Sequence, residues 1–202
     1  MSSDYYYTIE RSASAEFKDR GSKFIAFAFP IAGVADFKKQ LQGLKQEHSR
    51  AAHHCFAFRI GTDGNTFRSS DDGEPSGTAG KPMLGQIDSR QLTDLAVVVV
   101  RYFGGTLLGV QGLINAYKTV TALALQTTPI IQKAIEIKYR LQFDYTRMNE
   151  AMLIVKKYNC SALDQQMELF CTLDIGIPKA NHELILLKLK EIRGLEVHEL
   201  HE

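Results

Sequence analysis

Ser69-Ser70-Asp71-Asp72-Gly73-Glu74-Pro75-Ser76-Gly77-Thr78-Ala79-Gly80-Lys81-Pro82-Met83 holds three acids, three glycines, two prolines and four hydroxyls. Neither helix nor strand favours that composition, so the stretch reads as a structured loop around which the regular elements are arranged. Its echo, Arg101-Tyr102-Phe103-Gly104-Gly105-Thr106-Leu107-Leu108-Gly109-Val110-Gln111-Gly112, directly follows the apolar run Leu95-Ala96-Val97-Val98-Val99-Val100. A buried strand therefore delivers a charged and aromatic tip into a glycine turn. Together the two segments hold seven of the fifteen glycines in the chain. Glycine costs conformational entropy, so this concentration implies positive φ or close backbone approach.

Both loops lead into helical patterns. Thr78 reads as a helix cap, Pro82 is tolerable in the first turn, and Met83, Leu84 and Ile87 supply an apolar face. After the second loop, Val110, Leu113, Ile114, Tyr117, Val120 and Ala124 line one side of a helix over residues 108–126. Backbone N–H groups exposed before a helix, with the positive end of its dipole, make a site for phosphate or carboxylate. The candidates are Gly77, Thr78 and Gly80 with Lys81, and Gly104, Gly105 and Thr106 with Arg101. The alternative is a pair of structural turns in which Lys81 and Arg101 merely pair with Asp71, Asp72 or Glu74.

Upstream, residues 5–9 read as a strand and residues 16–31 as a hairpin turning at Asp19-Arg20-Gly21. Val34, Phe37, Leu41 and Leu44 fall at helical spacing over residues 34–49, and a strand (53–60), a turn at Asp63-Gly64-Asn65 and a short returning strand (66–69) follow. Beyond Pro129 the pattern changes. Ile135, Ile137, Tyr139, Leu141 and Phe143 alternate with Glu136, Lys138, Arg140, Gln142 and Asp144, the pattern of a strand buried on one face. A helix (146–158), strands over 160–165 and 167–175, a helix (181–193) and a strand (195–200) complete β-α-β-β-α-β, the ferredoxin-like order. The expected class is α+β, with domains 1–128 and 129–202.

Lys and Arg number 24 against 23 Asp and Glu, so nucleic-acid binding would have to come from a local patch. Three cysteines without a C-x-x-C pair argue against a disulfide scaffold or structural zinc site and suit a reducing cytoplasm. No basic-then-apolar leader and no membrane-length window occur, so a cytoplasmic protein without a membrane partner is expected.

Two nucleotide motifs fail. A Walker A loop ending at Gly80-Lys81 would need glycine at Pro75 and a hydroxyl at Pro82; the Rossmann spacing is wrong, and no acid lies between Asp94 and Glu136. Asp71, Asp72 and Glu74 offer oxygen ligands for a hard cation, but without a calcium-loop spacing this stands behind exposure or pairing with Arg68, Lys81 and Arg101. His53 and Cys55 share a strand face, which favours packing over a nucleophile pair and leaves His54 as the surface candidate. Ser76 lies in Pro-Ser-Gly rather than a G-x-S-x-G elbow. In the second domain, Glu136, Lys138, Arg140 and Gln142 occupy the open face where an RNA platform needs aromatics, leaving Phe170 as the one obvious outward aromatic of its second and third strands. That domain reads as an accessory or docking module.

The run 70–82, with Val99-Val100-Arg101-Tyr102-Phe103-Gly104-Gly105-Thr106-Leu107-Leu108-Gly109, Ala116-Tyr117, Lys23-Phe24-Ile25-Ala26 and His53-His54-Cys55, closely resembles the YigZ/IMPACT family. Gln111 stands where many members have a small residue. The resemblance implies a two-layer α/β first domain shared with ribonuclease PH and a ribosomal-protein domain, and a second domain similar to one in translational elongation factors. It also implies a role near translation, since eukaryotic relatives regulate the amino-acid-starvation response by competing for a partner of an initiation-factor kinase. It transfers no catalytic residues. The expected function is a non-enzymatic, cytoplasmic regulator that binds RNA, the ribosome or a translation-factor complex through the glycine loops, without a cofactor. The alternative is a metal-assisted hydrolase or nucleotide-processing enzyme using the acidic loop.

Overall fold

A computed structural model describes residues 4–167 and 170–200. Two compact units emerge, one of residues 6–133 and one of residues 134–202 with 1–5. In the first, the order is β1 (Tyr5–Ile9), β2 (Ala13–Asp19), β3 (Ser22–Pro30), α1 (Val34–Glu47), β4 (His53–Ile60), β5 (Thr66–Ser70), α2 (Gly80–Asp88), β6 (Leu95–Tyr102), α3 (Gly109–Gln126) and β7 (Ile130–Ala134). Five strands form an antiparallel sheet in the order β2-β3-β6-β4-β5, and β1 pairs with β7 in a separate ribbon.

The unbroken apolar run of β6 is explained by its central place. Its alternate residues serve two cores: Leu95, Val97 and Val99 pack with Met83, Ile87, Tyr117 and Val120 of α2 and α3, whereas Ala96, Val98 and Val100 pack with Phe37 of α1. Helices therefore cover both faces of the sheet. This corrects the two-layer expectation. α1 closes the second face through Phe37, whose ring lies 4.8 Å from that of Phe56 and 4.7 Å from that of Phe58. Strand β7 was not read from the sequence.

The other unit runs β8 (Glu136–Phe143), α4 (Met148–Lys157), β9 (Ser161–Met167), β10 (Cys171–Pro178), α5 (His182–Lys190) and β11 (Glu196–Glu199). Its antiparallel sheet has the order β11-β8-β10-β9. Tyr139, Leu141 and Phe143 point into a core with Ala151 and Val155 of α4 and Ile185 and Leu189 of α5, as the alternation in β8 requires. On the other face Arg140 makes a bidentate pair with Asp174 at 2.7 Å for each bond. Phe170 is 56% exposed; residues 168–169, inside the strand expected over 167–175, lie outside the described residues. Among the described residues no helix is long and apolar enough to cross a membrane.

Candidate functional site

The antiparallel register places Phe24 of β3, Arg101 of β6 and His53 of β4 in one row across the sheet, on the face toward α2 and α3. The first glycine loop folds over this row. Glu74 is buried there and its Oε1 accepts from Arg101 Nη1 and from the Tyr117 hydroxyl, each at 2.7 Å. Arg101 Nη2 donates to Ser22 Oγ at 3.3 Å, and the same oxygen accepts from the Gly104 amide at 3.2 Å. The guanidinium lies 5.4 Å from the Phe24 ring centre and 5.5 Å from that of Phe103. Its Nε is buried without a hydrogen-bond partner among the described residues. One buried ion pair thus ties the first loop to the strand from which the second springs.

Asp71 organises the rest of the first loop. Its Oδ1 accepts from the amides of Ala79 and Gly80 at 2.9 and 2.8 Å, and its Oδ2 from Gly77 at 2.8 Å. Partial burial pushes this carboxyl up, but the amides of Gly77, Gly80 and Ala79 together hold it below the usual carboxylate range. Of the N–H groups expected to face an external anion on this loop, those of Gly77 and Gly80 are therefore turned onto the protein's own carboxylate, and that of Thr78 onto the Pro75 carbonyl at 3.1 Å. Thr78 does not cap α2; its hydroxyl donates to the Pro75 carbonyl at 2.7 Å, and Asp71 takes the capping role. Gly80 is required by packing, because a Cβ there would lie 2.7 Å from the Ser70 amide nitrogen. Likewise a Cβ on Gly104 would overlap the backbone of Gly21 and Ser22, so the hairpin between β2 and β3 presses against the second loop.

The remaining candidates separate. Asp72 Oδ2 accepts from the His54 amide at 2.7 Å, and Lys45 Nζ lies 3.7 Å from Oδ1. With Asp71, Asp72 and Glu74 engaged on different partners, no group of three or more His, Cys, Asp or Glu is placed to hold a metal ion among the described residues. Lys81 is exposed, whereas Arg101 is buried in its pair with Glu74. Arg68 and Ser76 are exposed. His54, expected at the surface, is only 8% exposed because its strand face is the one covered by α1; burial holds its pKa below the ordinary value, against the opposing pull of Asp72. Its neighbour His53 is the half-buried one. Its Nδ1 lies 2.8 Å from the Asp72 carbonyl and so carries the proton in the neutral ring, leaving Nε2 as the acceptor, 3.9 Å from Glu74.

Beneath them the Cys55 thiol donates to the Asp71 carbonyl at 3.0 Å and lies 3.3 Å from the Tyr117 hydroxyl. Burial pushes it up to about 12, assisted by Glu74, Asp72 and Asp71 against the Tyr117 hydrogen bond, so it remains a thiol at neutral pH. Burial likewise pushes the Tyr117 phenol up. Inside the site Glu74, Arg101, Ser22, Tyr117 and Cys55 are joined in one polar network, and outside it the second loop exposes apolar side chains. Gly104, Gly105 and Thr106 are exposed, and beside them Phe103 is 51%, Leu107 80% and Val110 60% exposed.

The Impact N-terminal domain model matches residues 20–125, which include every residue of this network. An IMPACT family member of Haemophilus influenzae is 36% identical over 92% of this chain and 91% of its own. The chain belongs to the IMPACT family. The IMPACT family member YigZ of Escherichia coli is 34% identical over 79% of each chain. A crystal structure described as that of a hypothetical protein covers 99% of both chains at 29% identity, with a TM-score of 0.78. A structure described as the two-domain translational regulator Yih1 shares 27% identity over 60% of this chain and 47% of that one, at a TM-score of 0.37.

Among the residues of the IMPACT domain, Ser22 and Tyr117 were not singled out as site residues. Tyr117 carried a usable signal: a phenol inside the buried stripe of a helix must find a partner for its hydroxyl. Ser22 carried none, since its role depends on the hairpin meeting the second loop.

Proposed function

We infer that the protein is a non-enzymatic regulator associated with translation, which docks on a translation-factor complex through the second glycine loop. Family membership supports the setting. The observation that carries the docking mode is the contrast at the site: Asp71 and Glu74 engage the loop amides and Arg101 inside the protein, whereas Phe103, Leu107 and Val110 face solvent. Buried, internally satisfied polar groups hold a shape, and clustered exposed apolar side chains on a loop recognise a partner. In this reading the second unit, taken as ferredoxin-like, is a further docking module.

Tagged full-length protein is used to capture partners from lysate with and without ribonuclease, beside Phe103→Ser/Leu107→Ser. Translation factors retained after ribonuclease and lost in the double variant are expected. Capture abolished by ribonuclease would transfer the contact to RNA. Magnesium-dependent turnover of nucleotides, short RNAs or dipeptides, lost in Asp72→Asn, would overturn the regulator in favour of the hydrolase.

A further inference from the structure

We propose that the groove between α2 and α3 receives an acidic amphipathic helical segment of a partner protein; this deepens the docking reading above. Residues 95–135 contain Arg101, Lys118 and Lys133 and no acidic residue. α3 runs through this stretch for eighteen residues, about 27 Å at 1.5 Å per residue. Its outward side is unlike a solvated helix face, which carries both signs of charge at spacings of three and four. It presents Val110, Gln111, Asn115, Lys118, Leu123 and Gln126 as exposed positions, apolar and neutral polar side chains with a single charge, with Ile114 and Ala122 partly exposed. The helix on the opposite face of the sheet behaves as a solvated helix does: α1 carries Asp36, Lys38, Lys39, Lys45 and Glu47.

The groove holds about 450 Å³ and is lined by Gln86 of α2 and by Asn115, Lys118, Thr119, Ala122, Leu123 and Gln126 of α3. Lys118 has no ion-pair partner among the described residues, and the one acid of α2, Asp88, is taken by Arg59 at 2.8 Å. Lys118 is thus the one charged residue lining the groove, and no carboxylate answers it among the described residues.

An acidic segment with apolar residues every three or four positions answers both features, laying its stripe along Ile114, Ala122 and Leu123 and its carboxylates toward Lys118. RNA does not suit the groove. One lysine displaces about one counterion, whereas nucleic-acid binding draws its affinity from several.

The test places p-benzoylphenylalanine at Leu123, or at Lys38 on α1 as a control, in the full-length chain in its native cell. After irradiation the crosslinked peptides are sequenced. Crosslinks at Leu123 well above the control are expected, mapping to protein segments with more acidic than basic residues and a helical apolar period. Adding Lys118→Glu is expected to lower that yield about fivefold, the scale of one exposed ion pair, with α3 hydrogen exchange unchanged. Crosslinks to RNA, to basic segments or to a second copy of this chain, a yield equal to the control, or indifference to Lys118→Glu would each overturn the proposal. The two readings fail separately. Translation factors captured through Phe103 and Leu107 without crosslinks at Leu123 sink the groove alone; acidic segments from proteins outside translation leave the groove and sink the proposed function.

Discussion

Removing one member of the Glu74–Arg101 pair is the most decisive perturbation of the first unit. The side chains are 3% and 6% exposed, with a nitrogen to oxygen distance of 2.7 Å. At that separation and an effective dielectric constant of about 20, the attraction is roughly 6 kcal/mol. Withdrawing each ion from water costs several kcal/mol, so the pair adds little net stability over an apolar replacement. Breaking it is different. Arg101→Met leaves Glu74 buried with the Tyr117 hydroxyl as its remaining donor, which should destabilise by about 3–5 kcal/mol against a typical total of about 5–15 kcal/mol. Combining it with Glu74→Gln removes the stranded charge while keeping an acceptor for Tyr117, so the double variant should lie within about 2 kcal/mol of wild type. Hydrogen exchange at the amides of β3 and β6 over a urea series reads this unit by itself. Single variants costing under about 1 kcal/mol, or additive effects in the double variant, would refute the buried pair.

Asp71→Ala should cost about 2–4 kcal/mol, because it strips the acceptor from three amides and leaves α2 uncapped; thermal melts measure it. The pH dependence follows from two groups of opposite charge. Asp71 titrates below its unfolded value, so its stabilisation is present above about pH 4 and is lost as pH falls through the folded pKa. His54 also titrates low, so the unfolded chain binds its proton first and stability declines below about pH 6.5; His54→Phe should flatten that limb alone in melts from pH 7 to 5. Cys55 should resist iodoacetamide at pH 8 until the protein is unfolded, as mass spectrometry of native and urea-treated samples would show. Gly104→Ala should disrupt the first unit by driving a methyl group into the backbone of Gly21 and Ser22, whereas Gly105→Ala meets no neighbour and is strained only by its φ of +87°.

Element type was legible wherever burial had a simple period. The alternation in β8 announced one buried face, and the run in β6 carried the evidence for burial on both faces, although the family resemblance pointed to two layers. Strand β7 was hidden because its partner is β1, more than a hundred residues away, and Ile130–Ala134 has no clean alternation. The cap of α2 was hidden for a related reason. A cap read from sequence sits next to its helix, as Thr78 does, whereas Asp71 reaches Gly80 across a closed loop. His54 illustrates the limit of strand parity: it separates the faces of β4 correctly but says nothing of which face a helix covers.

The two glycine loops are better understood as one device than as two sites. Asp71 and Glu74 stand three residues apart on the first loop, the former fixing the start of α2 and the latter clamping the end of β6. The second loop departs from that clamped end, and Gly104 holds it to the hairpin through Ser22, which also binds Arg101. Phe103 lies against the same guanidinium. A partner that lifted this ring would forfeit a cation–π contact of about 0.5–1 kcal/mol or more and open the buried pair to water. A partner that packs on the ring where it stands meets a surface whose ordering cost folding has already met, which is the condition for an exposed apolar loop to bind tightly.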